Sequence, residues 1–283
     1  MTEETIFECH DLDYAYQGRF PALCGIEMTI AAGERVALVG ANGTGKSTLL
    51  NLLDALIFAD RGSISFRGRT LLEEAFKDES FSINFRKQVG LVFQNPDIQL
   101  FCPTVREDIA FGPLQLGIDK QTLKNRMEYL TETLKISHLL DRSPHQLSVG
   151  EKRKVSLATI LAIDPDVLLL DEPTAGLDPQ TTTHLVEMLA QFSRTGKTIV
   201  TATHDLHIIE DIADRVYVFG QDKRLAANGS PGEILGNTAL LQTNNLVHVH
   251  THHARDHRAM TSMKASKDDD YSGKEVNSHV QDL

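Results

Sequence analysis

A glycine-rich loop of eight residues constrains the fold of this chain more than any other feature of its sequence. Residues 40–47 read GANGTGKS and fit the pattern G-x-x-x-x-G-K-[ST] without a gap. An apolar run at 35–39 precedes the loop, and a leucine-rich stretch at 48–57 follows it. Strand, loop and helix in this order predict a P-loop, because glycines let backbone N–H groups turn toward phosphate oxygens and the helix N-terminus adds partial positive charge.

The side chains of this loop predict a site for a nucleoside triphosphate. Lys46 would reach the β- and γ-phosphates, and the Ser47 hydroxyl would bind Mg²⁺. A glycine-rich turn that contains a lysine by chance is the alternative, and it leaves the flanking strand and helix unexplained. The sequence therefore favours nucleotide binding.

Composition and charge exclude several classes of protein. The chain has 283 residues and a net charge of −11, which argues against a nucleic-acid-binding surface. Its three cysteines have no paired or metal-ligand spacing, which suits a reducing cytosol. The N-terminus lacks the layout of a signal peptide, and no apolar run approaches the roughly 18 residues that span a bilayer. We therefore expect a soluble chain whose membrane role, if any, comes through a partner.

Three apolar runs read as buried strands, and each is followed by polar side chains. They are residues 89–93 before Gln94, residues 167–170 before Asp171 and Glu172, and residues 197–202 before His204. Placing carboxylates at the end of a buried strand costs free energy unless they bind a ligand or act in catalysis. One of the two could hold Mg²⁺ while the other orients and deprotonates a water. Gln94 and His204 are weak signals alone, but beside a phosphate site they could contact Mg²⁺, the water or the γ-phosphate.

Two further positions allow a structural and a functional interpretation. Tyr16 stands at the start of a loop, where its ring could stack on a base or belong to an ordinary strand. Ser148 and Glu151 form a capping-box pattern at the start of the last helix of a helical block over about 95–163. Such a helix N-terminus is also an anion site, so capping does not exclude binding.

The composition changes near residue 243. Five histidines follow within ten residues, at His248, His250, His252, His253 and His257. Residues 260–283 are polar and nearly free of large apolar side chains, which predicts disorder. We therefore expect a nucleotide-binding domain over residues 1–242 and a tail over residues 243–283. Imidazole nitrogens suit Ni²⁺, Co²⁺ or Zn²⁺, so the tail either binds such ions or has no selected affinity.

The order of these motifs resembles that of the nucleotide-binding domain of ATP-binding-cassette proteins, over roughly residues 5–240. The matching segments are the P-loop, Gln94, residues 147–151 (LSVGE), Asp171-Glu172, Leu177-Asp178 and His204. The resemblance implies an α/β fold with a P-loop NTPase (RecA-like) core, an antiparallel β subdomain and an inserted helical subdomain. It also implies that two such domains face each other, with each ATP between the P-loop of one and residues 148–150 of the other.

The resemblance further implies a role for each matching residue. Those implied to bind ATP and Mg²⁺ within one chain are Tyr16 against adenine, Gly40, Ala41, Asn42, Gly43, Thr44, Gly45, Lys46, Ser47 and Thr48 around the phosphates, and Ser47, Gln94 and Asp171 around Mg²⁺. Those implied to act in hydrolysis are Glu172 as general base, Gln94 as sensor of Mg²⁺ and water, and His204 on the γ-phosphate. Those implied to reach the opposite subunit are Ser148 and Gly150, on its γ-phosphate, and Asp178.

Residues 147–151 depart from the family's commonest signature at two positions. Val149 stands where glycine is commonest, and Glu151 stands where glutamine is commonest. Because Ser148 and Gly150 supply the implied phosphate contacts, Val149 need not impair catalysis. Glu151 places a carboxylate near the implied anion, so the signature is where this sequence fits the family pattern least closely.

A closer resemblance lies in residues 92–101 (VFQNPDIQLF) and 105–113 (VREDIAFGP). These segments are similar to those of the ATPases of energy-coupling-factor importers, which serve a transmembrane coupling protein and a separate substrate-capture membrane protein, for vitamins or for cobalt and nickel ions. In that family the region after the glutamine receives coupling helices of the membrane partner. The resemblance implies a peripheral protein at the cytoplasmic face of the cell membrane. The basic run 152–154 and the histidine-rich tail favour the cobalt and nickel branch.

Two other functions stay open from the sequence. The ATPase could serve a vitamin importer, in which case the tail is irrelevant to cargo. It could also be a cassette ATPase that acts on nucleic acid or ribosomes, but such proteins usually carry a second cassette or a long coiled-coil insertion. The short interval between Gln94 and Ser148 and the acidic charge disfavour that function. All ATPase motifs are intact, which is compatible with a homodimer that has two active sites and leaves a heterodimer open.

Overall fold

A computed structural model describes residues 4–247 of the chain. The strands in this range are β1 Thr5–Tyr16, β2 Phe20–Ala31, β3 Arg35–Val39, β4 Arg61–Phe66, β5 Arg69–Thr70, β6 Val89–Val92, β7 Val167–Asp171, β8 Thr198–Thr203, β9 Arg215–Phe219 and β10 Leu225–Gly229. The α-helices are α1 Lys46–Leu53, α2 Glu79–Gln88, α3 Val105–Gln115, α4 Lys120–Thr133, α5 Val149–Leu161, α6 Pro179–Ser193, α7 Ile209–Ile212, α8 Pro231–Gly236 and α9 Thr238–Thr243. The five histidines at 248–257 lie outside the described residues.

A six-stranded sheet forms the core, in the order β10-β9-β3-β8-β7-β6. Its strands run parallel except β10, which pairs antiparallel with β9 at one edge. Every residue of β7 and β8 is buried, as expected for strands covered by helices on both faces. Val39 pairs with Thr203, and Asp171 pairs with Ala202. This register brings the ends of β3, β7 and β8 together at one edge of the sheet.

A four-stranded antiparallel sheet, in the order β2-β1-β4-β5, forms the second layer. Strands β1 and β2 make a long hairpin, and β4 pairs with the other edge of β1. The Phe66 ring lies 5.1 Å from the Phe7 ring and 5.3 Å from the Phe85 ring of α2, measured between centroids. These aromatic contacts bind α2 to the antiparallel sheet.

A helical block comprising α3, α4 and α5 lies between β6 and β7 in sequence. Its core buries apolar side chains such as Ile109, Leu130 and Val155. Gln99 fixes the segment after β6 against α5, because its Nε2 donates to the Ser156 carbonyl oxygen at 2.7 Å and its Oε1 accepts from the Phe93 N–H at 3.2 Å. The structure thus confirms the predicted fold class, with an α/β P-loop core, an antiparallel β subdomain and an inserted helical subdomain.

The structure differs from the sequence-based prediction at several element boundaries. Helix α1 covers 46–53 rather than 48–57, because Ala55 adopts a φ of +51° and the chain leaves the helix. The alternation of apolar and polar side chains predicts a strand over residues 26–30, but β2 begins six residues earlier, at Phe20, because Phe20 pairs with Tyr16 across the hairpin. Helices α7 and α9 have four and six residues, too few to show a helical period in the sequence. Within residues 4–247, no helix is long and apolar enough to cross a bilayer.

Candidate functional site

The loop between β3 and α1 has the backbone conformation that its glycines predict. Gly43 and Gly45 have φ angles of +77° and +108°, in the region that favours glycine. A Cβ on Gly45 would lie 2.3 Å from the Ala22 carbonyl oxygen, so a larger residue does not fit there. The loop therefore presents backbone groups rather than side chains at the N-terminus of α1.

Lys46 is buried and lies across this loop. Its Nζ donates to the carbonyl oxygens of Gly40 at 2.8 Å and Ala41 at 3.2 Å, and it lies 3.9 Å from Glu172 Oε1. Burial lowers the pKa of Lys46, and the carboxylates of Glu172 and Asp171 oppose that effect. An ammonium group held here can move onto phosphate oxygens without leaving the cavity.

Ser47 and Asp171 bring two oxygen donors together from separate elements. Ser47 Oγ donates to Asp171 Oδ1 at 3.0 Å. Burial raises the pKa of Asp171, and the Ser47 hydrogen bond opposes the rise. Hydroxyl and carboxylate oxygens are the ligands that Mg²⁺ prefers, and Mg²⁺ usually completes its shell with water and substrate oxygens.

Glu172 lies directly after β7 and is 5 % exposed. Its Oε1 is 2.9 Å from His204 Nδ1, and its Oε2 accepts from the Thr203 hydroxyl at 3.4 Å. Its φ of +47° is unusual for a residue other than glycine, and such conformations cluster at functional sites. The same carboxylate oxygen, Oε1, therefore lies near both His204 Nδ1 and Lys46 Nζ, at 2.9 Å and 3.9 Å.

Lys46, Ser47 and Glu172 line one open cavity of about 500 Å³. Its lining includes Tyr16, Asn42, Gly43, Gly45, Lys46, Ser47, Thr48, Gln94 and Glu172. Tyr16 stands at the rim, 43 % exposed, with its hydroxyl 3.1 Å from Thr48 Oγ1. An exposed ring beside a phosphate loop favours base stacking over a core role. The cavity thus collects residues from β1, the P-loop, the end of β6 and the end of β7.

Eight of the predicted residues do not line this cavity: Gly40, Ala41, Thr44, Asp171, His204, Ser148, Gly150 and Asp178. The first three belong to the P-loop itself, Asp171 is bonded to Ser47, and His204 lines a separate cavity that Glu172 also lines. The other three cap or begin helices. Ser148 caps α5 and forms the predicted capping box with Glu151, which is confirmed. Gly150 follows on the same exposed helix end, beside Val149, which is 58 % exposed. Asp178 caps α6, accepting from the Thr181 N–H at 3.0 Å and from its hydroxyl at 2.6 Å. Their contact with a second subunit stays a prediction.

Two contacts at the site have no signal in the sequence. Arg153, which reads as one member of a basic run, donates from Nη1 to the Glu172 carbonyl oxygen at 3.0 Å. Lys223, in the turn between β9 and β10, donates to the Gly43 carbonyl oxygen. Both contacts join segments that are distant in the chain, so only the folded structure reveals them.

The chain is similar to a known protein family, to curated sequences and to solved structures. The family model described as ABC transporter matches residues 23–175. The nickel import ATP-binding protein NikO of Rhodobacter capsulatus is 48 % identical over 239 residues, which cover 83 % of this chain and 93 % of that protein. The energy-coupling factor transporter ATP-binding protein EcfA of Methanothermobacter thermautotrophicus is 43 % identical over 237 residues, which cover 84 % and 75 %. The structure of cbiO1 from Clostridium perfringens, part of the ABC transporter complex cbiONQ, has a TM-score of 0.72 at 34 % identity and covers 86 % of this chain and 96 % of that one.

Proposed function

The chain belongs to the ABC transporter family and is an ATPase, and from this premise we propose that it energises an importer of the energy-coupling-factor type for nickel or cobalt ions. The observation that carries the ATPase chemistry is the single cavity that joins the P-loop, Gln94 and Glu172. The relatives named above support the importer class and the cargo.

Hydrolysis in this cavity would depend on groups already in place. The P-loop backbone and Lys46 would hold the β- and γ-phosphates, as their positions at the start of α1 suggest. Ser47, Asp171 and Gln94 would hold Mg²⁺, which when bound would neutralise charge on the phosphates. Glu172 would accept the proton of the attacking water, and His204, bonded to its carboxylate, would fix that carboxylate and face the γ-phosphate.

A second copy of the chain would complete the site. Ser148 and Gly150 lie on an exposed helix N-terminus, where backbone N–H groups and the helix dipole favour an anion. The Ser148 N–H donates to the Glu151 carboxylate at 2.8 Å, which holds the pKa of Glu151 below its usual range. Because a carboxylate already occupies that donor, an incoming γ-phosphate would have to displace Glu151 or bind through the remaining donors.

An exposed apolar patch supports docking of a membrane partner on the helical block. The patch comprises Ile98, Phe101, Phe111 and Leu114, which are between 44 % and 64 % exposed. The rings of Phe101 and Phe111 lie 4.9 Å apart, edge to face. Gln99 and the Lys152–Asp97 ion pair at 2.6 Å join this segment to α5. A partner bound to the patch would therefore be linked to the helix that carries Ser148.

Phe101→Asp is expected to weaken binding of the membrane partner by at least about tenfold, since loss of an aromatic anchor in an interface can cost about 2 kcal/mol. The measurement is recovery of the coupling protein by the tagged ATPase from detergent-solubilised membranes. Tyr129→Asp is the matched control, because Tyr129 is equally exposed, at 64 %, but lies on α4 outside the patch. Equal recovery with both variants would argue against the patch, and recovery of RNA or DNA instead would favour the nucleic-acid alternative.

The histidine-rich tail has its own test. Calorimetric titration with Ni²⁺ and Co²⁺ compares the full chain with a chain that ends at Val247, because Leu246 and Val247 still pack against the apolar core. If the tail binds metal, we expect the full chain to bind these ions at least about tenfold more tightly, as expected for several imidazole ligands. Identical weak binding by both chains would remove the tail from the argument about cargo.

A further inference from the structure

Arg153 connects the helix that carries Ser148 and Gly150 to the backbone of Glu172. It lies in the second turn of α5, and only 9 % of its surface is exposed. Its Nη1 donates to the Glu172 carbonyl oxygen at 3.0 Å. Its buried Nε has no hydrogen-bond partner among the described residues. A buried guanidinium loses its hydration, and a single hydrogen bond to a carbonyl offsets only part of that free-energy cost.

Two carboxylates compensate for part of that loss. Burial lowers the pKa of Arg153, whereas the charges of Asp171 and Glu172 oppose the change. The guanidinium therefore lies close enough to the two acidic side chains at the end of β7 to interact with both. Lys46 is the second buried cation beside this pair, 3.9 Å from Glu172. Arg153 approaches Glu172 from its backbone and Lys46 approaches it from its carboxylate.

The backbone of Glu172 is held at both of its polar groups. Its N–H donates to the Ala202 carbonyl oxygen of β8 at 2.9 Å, and its carbonyl accepts from Arg153 Nη1 at 3.0 Å and from the Ala175 N–H of the following turn at 3.2 Å. Held by these bonds, the residue adopts its φ of +47°. A conformation of this kind persists only where the surroundings impose it. The same conformation directs the carboxylate toward His204 and Lys46.

We propose that Arg153 is a positioning residue for ATP hydrolysis, which holds the Glu172 backbone in the conformation that aims its carboxylate into the catalytic cavity. The proposal rests on the proposed role of Glu172 as general base. Because Arg153 belongs to α5, the position of the glutamate then depends on the position of the helix that begins at Ser148. Arg153 itself does not line that cavity.

Arg153→Met tests this role, because methionine fills a similar apolar volume without a donor. We expect kcat to fall about 10- to 100-fold, which corresponds to the free energy of one charged hydrogen bond if its loss raises the activation barrier in full. KM and the equilibrium affinity for a fluorescent ATP analogue should stay unchanged. Arg153→Lys keeps the charge and a donor, so it should recover part of kcat.

Arg126→Met is the matched control for a merely structural effect. Arg126, on α4, also donates from Nη1 to backbone carbonyl oxygens, those of Ala162 at 3.0 Å and Ile163 at 2.7 Å. That variant should lower the thermal midpoint without lowering kcat. The proposal would be overturned if the two variants lost kcat equally. It would also be overturned if the Arg153→Met protein bound ATP more weakly and kept its kcat.

A double-mutant cycle separates this proposal from the proposed role of Glu172. If Arg153 acts through Glu172, then Arg153→Met should cause no further loss in a Glu172→Gln protein. The same fold-loss in both backgrounds would overturn the positioning role. If the Glu172→Gln protein hydrolyses ATP at the wild-type rate, the general-base assignment is refuted instead. If Glu172→Gln slows hydrolysis but Arg153→Met does not, only the proposal about Arg153 is refuted.

Discussion

Glu172→Gln is expected to reduce steady-state ATP hydrolysis by about 10²- to 10⁴-fold, the range for loss of a general base. Glutamine has the size of glutamate and can keep a hydrogen bond to His204, but it cannot accept the proton of the attacking water. The P-loop and Lys46 are untouched, so ATP binding should be retained. Removal of one negative charge 3.9 Å from Lys46 also leaves that ammonium free to bind phosphate.

The hydrolysis rate and the affinity for ATP are measured on the same preparation of each protein. Glu187→Gln is the matched control, because Glu187 is a solvent-exposed carboxylate on α6 that also lies beside a histidine, His184, at 4.0 Å. That change should leave hydrolysis at the wild-type rate. Hydrolysis at the wild-type rate by the Glu172→Gln protein would show that another group accepts the proton.

Ser148→Arg is expected to reduce hydrolysis by at least about 100-fold, the usual effect of removing a donor from a developing oxyanion, with further loss from steric exclusion of the opposite subunit. The change lies outside the P-loop cavity of its own chain, since Ser148 does not line it. ATP binding to the single chain should therefore persist while hydrolysis is lost. This separation of binding from turnover is what a site shared between two copies requires.

The control for Ser148→Arg must also lose a helix cap. Ser230 caps α8 with the same capping box, formed with Glu233, and is exposed in the same way. Loss of either cap should lower stability by a similar amount, about 0.5–2 kcal/mol. Ser230→Arg should therefore match the thermal midpoint of Ser148→Arg and keep wild-type hydrolysis. Equal hydrolysis by both variants would exclude a role for Ser148 in the opposite site.

The sequence predicts the catalytic edge of the core sheet well, for a physical reason. Gln94, Asp171 and His204 each follow a short apolar run, and buried parallel strands produce such runs. Because the carboxyl ends of parallel strands meet at one edge, polar residues after separate runs converge without any knowledge of distances. The observed register of β3, β7 and β8 has this arrangement.

Contacts between distant segments could not be predicted in the same way. The Arg153 bond to Glu172 depends on how α5 packs against the core sheet, and the Lys223 bond to Gly43 depends on the turn after β9. Neither contact leaves a periodic pattern or a motif in the chain. The φ of +47° at Glu172 is equally invisible in the sequence, because glutamate rarely adopts it. The start of β2 and the six-residue helix α9 are hard to predict because hairpin pairing and short helices carry little local signal.

The mass of the Glu172→Gln protein in solution, measured by light scattering with and without ATP and Mg²⁺, tests the shared site most directly. The chain mass is 31.4 kDa, so we expect 31.4 kDa without nucleotide and twice that value with ATP. The Glu172→Gln/Ser148→Arg double variant should stay at 31.4 kDa under both conditions. A Glu172→Gln protein that binds ATP and still has the mass of one chain would contradict the account, because a second copy would then not complete the site.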